Sequence, residues 1–166
     1  MQIYVSHPDG SGARRLTAGG RENNALTGWT DDGLRLMAAS NARDPARYRF
    51  RLPVYTRLPV QEAVSYLQGV QVAGFSVYVW NVNLSLAIAE RLKCNDPGIV
   101  IVFGGPHVPD HPDEFLRRYP FIDVVVHGEG EAVFCDLIER YTARGCNPVG
   151  VGSVSYRDET GRCVTE

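Results

Sequence analysis

The sequence predicts an α/β domain of three layers, in which helices cover both faces of a mostly parallel β-sheet. Nearly continuous apolar runs at 70–79, 99–103 and 122–126 have the length and composition of strands that are buried on both faces. Segments with apolar residues at helical spacing alternate with these runs along the chain. This alternation implies crossover connections between parallel strands, and therefore a layered α/β fold.

Each element has its own signal in the residues from 44 to the end. The helices repeat apolar side chains at spacings of three and four, and they are predicted at 60–67, 84–92, 112–119 and 132–141. The strands are predicted at 52–55, 71–79, 99–103 and 122–126. Pro97 and Gly98 end the second helix. Two short β-type runs around Val154 and Cys163 flank a turn and predict a terminal hairpin.

The first 43 residues have a different composition, rich in Gly, Asn, Asp, Thr and Ser, with short β-type runs between turn signals. This pattern predicts hairpins outside the main sheet. The segments IYVSHPDGSGARRLT and GWTDDGLRLMAAS resemble repeats of TolB-type β-propellers. The resemblance is too short for a closed propeller, which needs four or more blades. We therefore expect two parts, a small β appendage at 1–43 and an α/β domain at 44–166.

Composition excludes several classes of function. The net charge of −2 offers no basic surface for nucleic acid, and no apolar run is long enough to span a membrane. The N-terminus lacks the apolar stretch of a signal peptide, which favours a cytoplasmic protein with four reduced cysteines. The cysteines form no CxxC or CxxxCxxC pattern, so neither zinc nor an iron–sulfur cluster is expected in this chain.

Candidate binding residues lie at the predicted carboxyl ends of the strands, where α/β sheets bind their ligands. Glycines there allow close approach of a ligand, and a serine hydroxyl can donate or accept a hydrogen bond. The candidates are Ser76, Val77, Tyr78, Asn81, Gly104, Gly105, Pro106, Gly128, Glu129 and Gly130. Each group also fits an ordinary structural role, as a turn, a core serine or, for Glu131, a helix cap. Tyr78 and Trp80 either pack at the sheet edge or line the ligand face.

The histidines do not indicate a metal site. His107 and His111 have the i, i+4 spacing of a helical metal site, but Pro109 and Pro112 interrupt that stretch. A loop is the favoured structure there. We therefore predict that the chain has no metal ligands of its own.

Together these motifs resemble the cobalamin-binding domain of radical-SAM proteins. The resemblance rests on GFSVYVWNVNLSLAIAERLK, on IVIVFGGPHVPDHPDEFLRRYPFIDVVVHGEGE and on the upstream RYRFRLPVYTRLPVQEAVSYL. It implies a Rossmann-like, flavodoxin-like fold that holds cobalamin over the strand ends. Ser76 matches the serine of the family's second loop, Gly104-Gly105 match its paired glycines, and VVVHGEGE matches the loop after its fifth strand.

Three departures from the family shape the expectation. The DxHxxG motif that supplies a cobalt ligand is absent, and His7-Pro8-Asp9-Gly10 does not fit it. Cobalamin is therefore expected base-off, without a protein histidine ligand. The family's first strand should precede Tyr48, where the propeller-like segment stands. Without CxxxCxxC, an iron–sulfur cluster and S-adenosylmethionine are expected only in a C-terminal radical-SAM barrel of a longer parent protein.

The resulting hypothesis is a cobalamin-binding module of a radical-SAM enzyme, not catalytic alone, that supports methyl transfer or another radical reaction. The alternative is a non-binding Rossmann-like scaffold that packs on a partner. A nucleotide-binding flavodoxin-like domain is less favoured, because GxGxxG and a Walker lysine are absent. Replacement of Gly105 by Val is expected to abolish cobalamin binding and to leave the fold intact, unless Gly105 requires a positive φ, in which case valine also costs stability, about 1 kcal/mol or more.

Overall fold

The computed structural model describes residues 4–5, 14–15, 25–27, 37–39, 54, 56–142 and 145–166. The strands are β1 (Tyr4–Val5), β2 (Arg14–Arg15), β3 (Ala25–Thr27), β4 (Met37–Ala39), β5 (Val72–Ser76), β6 (Val100–Gly104), β7 (Val124–Val126), β8 (Tyr141–Thr142), β9 (Gly145–Cys146), β10 (Val154–Arg157) and β11 (Cys163–Thr165). The helices are α1 (Val60–Leu67), α2 (Val82–Asn95), α3 (Asp113–Arg118) and α4 (Gly130–Glu139).

The main sheet has five strands in the order β11-β10-β7-β6-β5. Strands β5, β6 and β7 are parallel neighbours, and α2 and α3 connect them. The hairpin of β10 and β11 continues the sheet with antiparallel pairing on β7. The predicted fold class, with its parallel centre and terminal hairpin, is confirmed.

The sheet is covered on both faces, which gives the predicted three layers. All residues of β6 are buried, and they alternate between the faces as the two-residue period of a strand requires. Ile101 and Phe103 face a core formed with α1, α2 and α3, whereas Val100 and Val102 face a core formed with α4. The apolar run that predicted a doubly buried strand therefore serves two separate cores.

An ion pair joins α2 to the sheet at the amino ends of the strands. Lys93 Nζ donates to both carboxylate oxygens of Asp123 at 2.9 and 2.8 Å and to the carbonyl of Ile99 at 2.6 Å. The Asp123 carboxylate also accepts from the backbone N–H of Ile101 at 2.7 Å. This cluster joins the start of β6 to the residue before β7, so it supports the fold at the edge opposite the candidate site.

The terminal hairpin is held to the neighbouring helix by one arginine. The guanidinium of Arg157 donates to the carbonyls of Leu116, Pro120 and Ile122 at 2.7, 2.8 and 2.6 Å. Free carbonyls at the end of a helix need such donors. The hairpin is thus part of the domain and fixed relative to α3.

The N-terminal strands form pairs of their own, β1 with β2 and β3 with β4, both antiparallel. Most of the propeller-like segment, the predicted boundary between residues 43 and 44, and all of the predicted strand at 52–55 except Val54 lie outside the described residues. The division into two parts therefore stays a prediction. Across the described ranges, no helix has both the length and the apolar character needed to cross a membrane.

Candidate functional site

The carboxyl ends of β5, β6 and β7 meet at one edge of the sheet, here called the carboxyl edge. Ser76 and Gly104 are partners in the register of β5 and β6. The N–H of Val77 donates to the Gly104 carbonyl at 2.7 Å, which extends this pairing by one residue beyond the strand. Because β7 is the parallel neighbour of β6, the Gly128 loop leaves from the same edge. The structure therefore brings the predicted site residues that follow β5, β6 and β7 to one edge of the sheet.

Gly105 is packed directly against the backbone of the preceding strand's loop. Its φ is +103°, and a Cβ there would lie 2.8 Å from the carbonyl oxygen and 2.9 Å from the nitrogen of Val77. The same Cβ would lie 3.2 Å from Ser76 Oγ. Gly105 thus has the positive φ that makes valine costly, and the space at this position also favours glycine, so Gly105→Val is expected to reduce stability as well as binding.

The loop that follows β5 is braced by a buried amide. Asn81 Oδ1 accepts from the N–H of Tyr78 at 2.7 Å, and its Nδ2 donates to the carbonyl of Ser76 at 3.0 Å. Ser76, Val77, Tyr78 and Asn81 are all buried, with 7%, 0%, 5% and 2% of their surface exposed. Asn81 thus holds the loop in shape. Direct contact of these four residues with a ligand stays a prediction.

Two aromatic rings form an apolar surface beside this loop. The rings of Tyr78 and Trp80 are stacked with centroids 4.7 Å apart and planes 14° from parallel. Trp80 is 50% exposed and Val79 is 69% exposed, so two neighbouring apolar side chains face solvent here. Arg57 Nη2 donates to the carbonyl of Trp80 at 2.8 Å and fixes the segment on which the surface lies. The surface suits a flat apolar ligand or a neighbouring domain.

The loop from β7 to α4 is short and open. Gly128 has a φ of +67°, and a Cβ there would meet nothing within 4 Å among the described residues. Glu129 is exposed at the N-cap position of α4 and makes no side-chain capping hydrogen bond, and Gly130 is the first residue of the helix. Pro106, in the neighbouring loop, is also exposed. Gly128 and Glu129 therefore leave space at the carboxyl edge beside the positive end of α4.

His127 directly precedes Gly128, and the sequence alone assigned it no role. Its ring Nε2 lies 2.8 Å from Ser155 Oγ, and Ser155 Oγ lies 2.7 Å from Thr165 Oγ1. The backbone N–H of His127 donates to the carbonyl of Ser153 at 2.9 Å. Burial lowers the pKa of His127, and the charge of Asp110 opposes this effect by raising it. A histidine next to the glycine motif was the only signal in the sequence, because its partners lie in the terminal hairpin.

The other titratable residues do not form a second centre. His107 and His111 lie exposed in the loop between β6 and α3, outside any helix. Within the described part of the chain, no group of three or more His, Cys, Asp or Glu side chains is arranged to hold a metal ion. The cysteines are free thiols, and burial raises the pKa of Cys146 to about 11. A surface cavity of about 390 Å³ between α1 and α2 is lined by Val60, Ala87, Glu90, Arg91 and Cys94.

Comparison with known families identifies the domain. Residues 58–138 match the family described as B12 binding domain. They belong to the B12-binding domain family. The matched segment runs from just before α1 into the last turn of α4, and it contains every predicted site residue. It does not extend into the first 43 residues, so the resemblance of that segment to propeller repeats remains unsupported.

Curated relatives extend the match to radical-SAM methyltransferases. The chain is 39% identical over 127 residues to 2-(S-pantetheinyl)-carbapenam-3-carboxylate methyltransferase of Streptantibioticus cattleyicolor. It is 37% identical over 127 residues to the cobalamin-dependent radical SAM methyltransferase TokK of Streptomyces tokunonensis. Each alignment covers 76% of this chain and 19% of the relative. An uncharacterized methyltransferase of Pyrococcus horikoshii is 35% identical over 71 residues, which are 43% of this chain and 15% of that protein.

The residues present at the carboxyl edge are compatible with a corrin. A flat macrocycle needs strand ends without protruding side chains, and the open Cβ direction of Gly128 provides such a place. The exposed ring of Trp80, which stacks on the buried Tyr78, adds an apolar surface beside the β5 loop. The exposed loop residues Gly128 and Glu129, which precede α4, add polar backbone groups for the amide substituents of a corrin. The family match therefore indicates cobalamin, and the open space beside Gly128 does not conflict with a flat cofactor.

Proposed function

We propose that this chain binds cobalamin with the corrin over Ser76, Gly104, Gly105 and Gly128, base-off and without a protein histidine ligand. The observation that supports this most is Gly128, whose left-handed backbone and open Cβ direction have no packing function among the described residues. Gly105, by contrast, is already explained by folding. The left-handed φ of Gly128 by itself favours glycine, but the open space above it at the carboxyl edge leaves room for a ligand to approach the backbone.

We infer that the buried and the exposed residues of the predicted site contribute differently. Val77 and Asn81 are buried and hold the β5 loop, whereas Pro106, Gly128 and Glu129 are exposed and available to the cofactor. Ser76 Oγ lies just beneath Gly105, where it can bond to a group inserted at the strand ends. The corrin edge would then meet the 128–130 loop, and the nucleotide tail would enter beside Ser76.

In a longer parent protein the bound cofactor would serve a radical-SAM barrel. The first two relatives are methyltransferases of which this chain covers only about a fifth of the length, 19% in each case. We propose that the chain is the cofactor-binding module of such an enzyme and that its barrel, with the iron–sulfur cluster and S-adenosylmethionine, is supplied by the remainder of the parent. When bound, cobalamin supplies a cobalt centre for methyl transfer. The cytoplasmic location stays a prediction.

The test is incubation of the purified chain with hydroxocobalamin, followed by desalting and an absorbance spectrum. Retention of the corrin absorbance bands is expected for the unsubstituted chain. Gly128→Val should lose them, because its side chain would occupy the space proposed for the corrin. Gly69→Val is the matched control, because Gly69 also has a left-handed φ, +78°, and an open Cβ direction but lies before β5 at the other end of the strands.

The ligation state is tested separately by electron paramagnetic resonance of the cobalt(II) form. A base-off cofactor without a histidine ligand should show no nitrogen superhyperfine splitting. Such splitting that disappears in His127→Gln, His107→Gln or His111→Gln would contradict the proposal. If the parent retains no corrin at any cofactor concentration, the alternative of a non-binding scaffold that packs on a partner is correct.

A further inference from the structure

The terminal hairpin makes a side-chain connection to the loop proposed to meet the corrin. The connection begins at His127 Nε2, passes through Ser155 Oγ at 2.8 Å and ends at Thr165 Oγ1, a further 2.7 Å away. Ser155 lies on β10 and Thr165 is its register partner on β11. Residues that are far apart in the chain, on three adjacent strands or strand ends, are therefore joined by one row of hydrogen bonds.

Ser155, at the centre of this row of hydrogen bonds, is shielded from solvent. Ser155 is 0% exposed, so its hydroxyl needs internal partners, and His127 and Thr165 both serve. A side-chain hydrogen bond in such surroundings is stronger than one at the surface, because water does not compete for it. The imidazole of His127 is thus held in one orientation at the end of β7.

The backbone supports the same connection. The N–H of His127 donates to the carbonyl of Ser153 at 2.9 Å, and the N–H of Ser153 donates to the carbonyl of Glu166 at 3.1 Å. Ser153 has a φ of 62°, which side-chain-bearing residues rarely adopt. A strained residue of this kind persists only where its surroundings fix it. The start of the hairpin is therefore fixed against the residue that precedes Gly128.

We propose that His127 is a positioning residue, which anchors the loop at 128–130 to the terminal hairpin through Ser155 and Thr165 and so sets the loop conformation that the cofactor meets. The inference rests on the proposed function for its cofactor, but the anchoring itself is a property of the protein alone. Gly128 has a permissive backbone and no side chain to hold it, so the neighbouring imidazole supplies the anchor.

The experiment compares four proteins: the unsubstituted chain, here called the parent, and the variants His127→Phe, His127→Gln and Thr165→Val. Phenylalanine supplies a flat aromatic ring of somewhat larger size that cannot make the hydrogen bond to Ser155. Glutamine places an amide nitrogen near the position of Nε2 and can bond to Ser155 again. Valine at 165 has the shape of threonine and leaves the bond between His127 and Ser155 in place, so it shows how much of the anchoring depends on the second bond of the row.

Two quantities are measured, amide hydrogen exchange of residues 128–130 without cofactor and the affinity for hydroxocobalamin. In His127→Phe we expect faster exchange at these amides and about tenfold weaker binding, the scale of one lost internal hydrogen bond. His127→Gln should restore most of the slow amide exchange and most of the affinity for hydroxocobalamin. Thr165→Val should change the affinity by less than His127→Phe. Thermal unfolding of each variant shows whether the loss is local.

The outcomes separate this inference from the proposed function. Unchanged exchange at 128–130 in His127→Phe overturns the anchoring, whether or not cobalamin binds. Faster exchange with unchanged affinity overturns the role toward the cofactor. If the parent binds no cobalamin, the proposed function fails, while faster exchange in His127→Phe that is reversed in His127→Gln still supports the anchoring. A loss of affinity in both His127 variants that only follows a fall in melting temperature also counts against a positioning role.

Discussion

The two glycine loops at the carboxyl edge are built in opposite ways. The loop that starts at Gly105 rests on the backbone of Val77, which leaves no room for a Cβ. The loop that starts at Gly128 has open space around its glycine and follows His127, whose ring lies within hydrogen-bonding distance of Ser155. The same residue type at the same kind of position thus serves folding in one loop and leaves room for a ligand in the other. Mutations that probe the two loops should accordingly separate stability from binding.

The largest effect is expected at Gly105. Gly105→Ala should reduce the free energy of unfolding by on the order of 3 kcal/mol, because it adds both a disfavoured backbone conformation and a contact 2.8 Å from a backbone oxygen. Urea unfolding followed by circular dichroism measures this change. A stability within error of the parent would show that the loop is more adaptable than its packing suggests, and the contrast between the two glycines would be lost.

A smaller loss is expected when the amide brace of the β5 loop is removed. Asn81→Ala leaves the N–H of Tyr78 and the carbonyl of Ser76 without their buried partner, at a cost of about 1–3 kcal/mol. Asn81→Asp keeps an acceptor for the Tyr78 N–H and removes the donor to Ser76, so its unfolding free energy should also fall. If Asn81→Ala lowers cobalamin affinity with no loss of stability, Asn81 is a ligand contact instead of a brace.

Gly128→Ala should have a small effect on stability. The left-handed backbone costs a non-glycine residue about 1 kcal/mol, and the Cβ meets no neighbour among the described residues. The melting temperature should therefore fall only slightly, while the affinity for hydroxocobalamin falls more than it does in Gly69→Ala. Equal affinities in these two variants would place the corrin elsewhere.

The smallest effect concerns pH. Burial holds the pKa of His127 below the ordinary value of 6.5, so the unfolded chain binds a proton at a higher pH than the folded chain does. Stability from the neutral imidazole is present above pH 6.5 and is lost as the pH falls from 6.5 through the folded pKa. Solvent screening and the nearby charge of Asp110 keep this change in the free energy of unfolding small. Nuclear magnetic resonance titration should give a pKa below 6.5, and the stability of His127→Gln should depend less on pH in that range.

The loops also show where reasoning from sequence alone reached its limit. Gly104, Gly105 and Gly128 were identified because glycine at a strand end is a signal in itself. Asn81 was predicted as a cofactor contact, but its amide bonds to the backbone of its own loop, and the polar residue type alone does not distinguish these roles. Ser155 and Thr165 gave no signal, because their relation to His127 depends on how the terminal hairpin pairs with β7.

The sequence by itself determined the alternation of helices and strands from α1 to α4 and the doubly buried strands, and it predicted the edge where a ligand would meet the domain. These features follow from local periodicity and from the fixed geometry of parallel crossovers, which act over short stretches of chain. Only the tertiary structure decided that Gly105 is a packing requirement and Gly128 is open, and that His127 is tied to residues about 28 and 38 positions further along. Those distinctions depend on distances between segments remote in sequence, and such distances are set only when the strands have paired and the helices have packed.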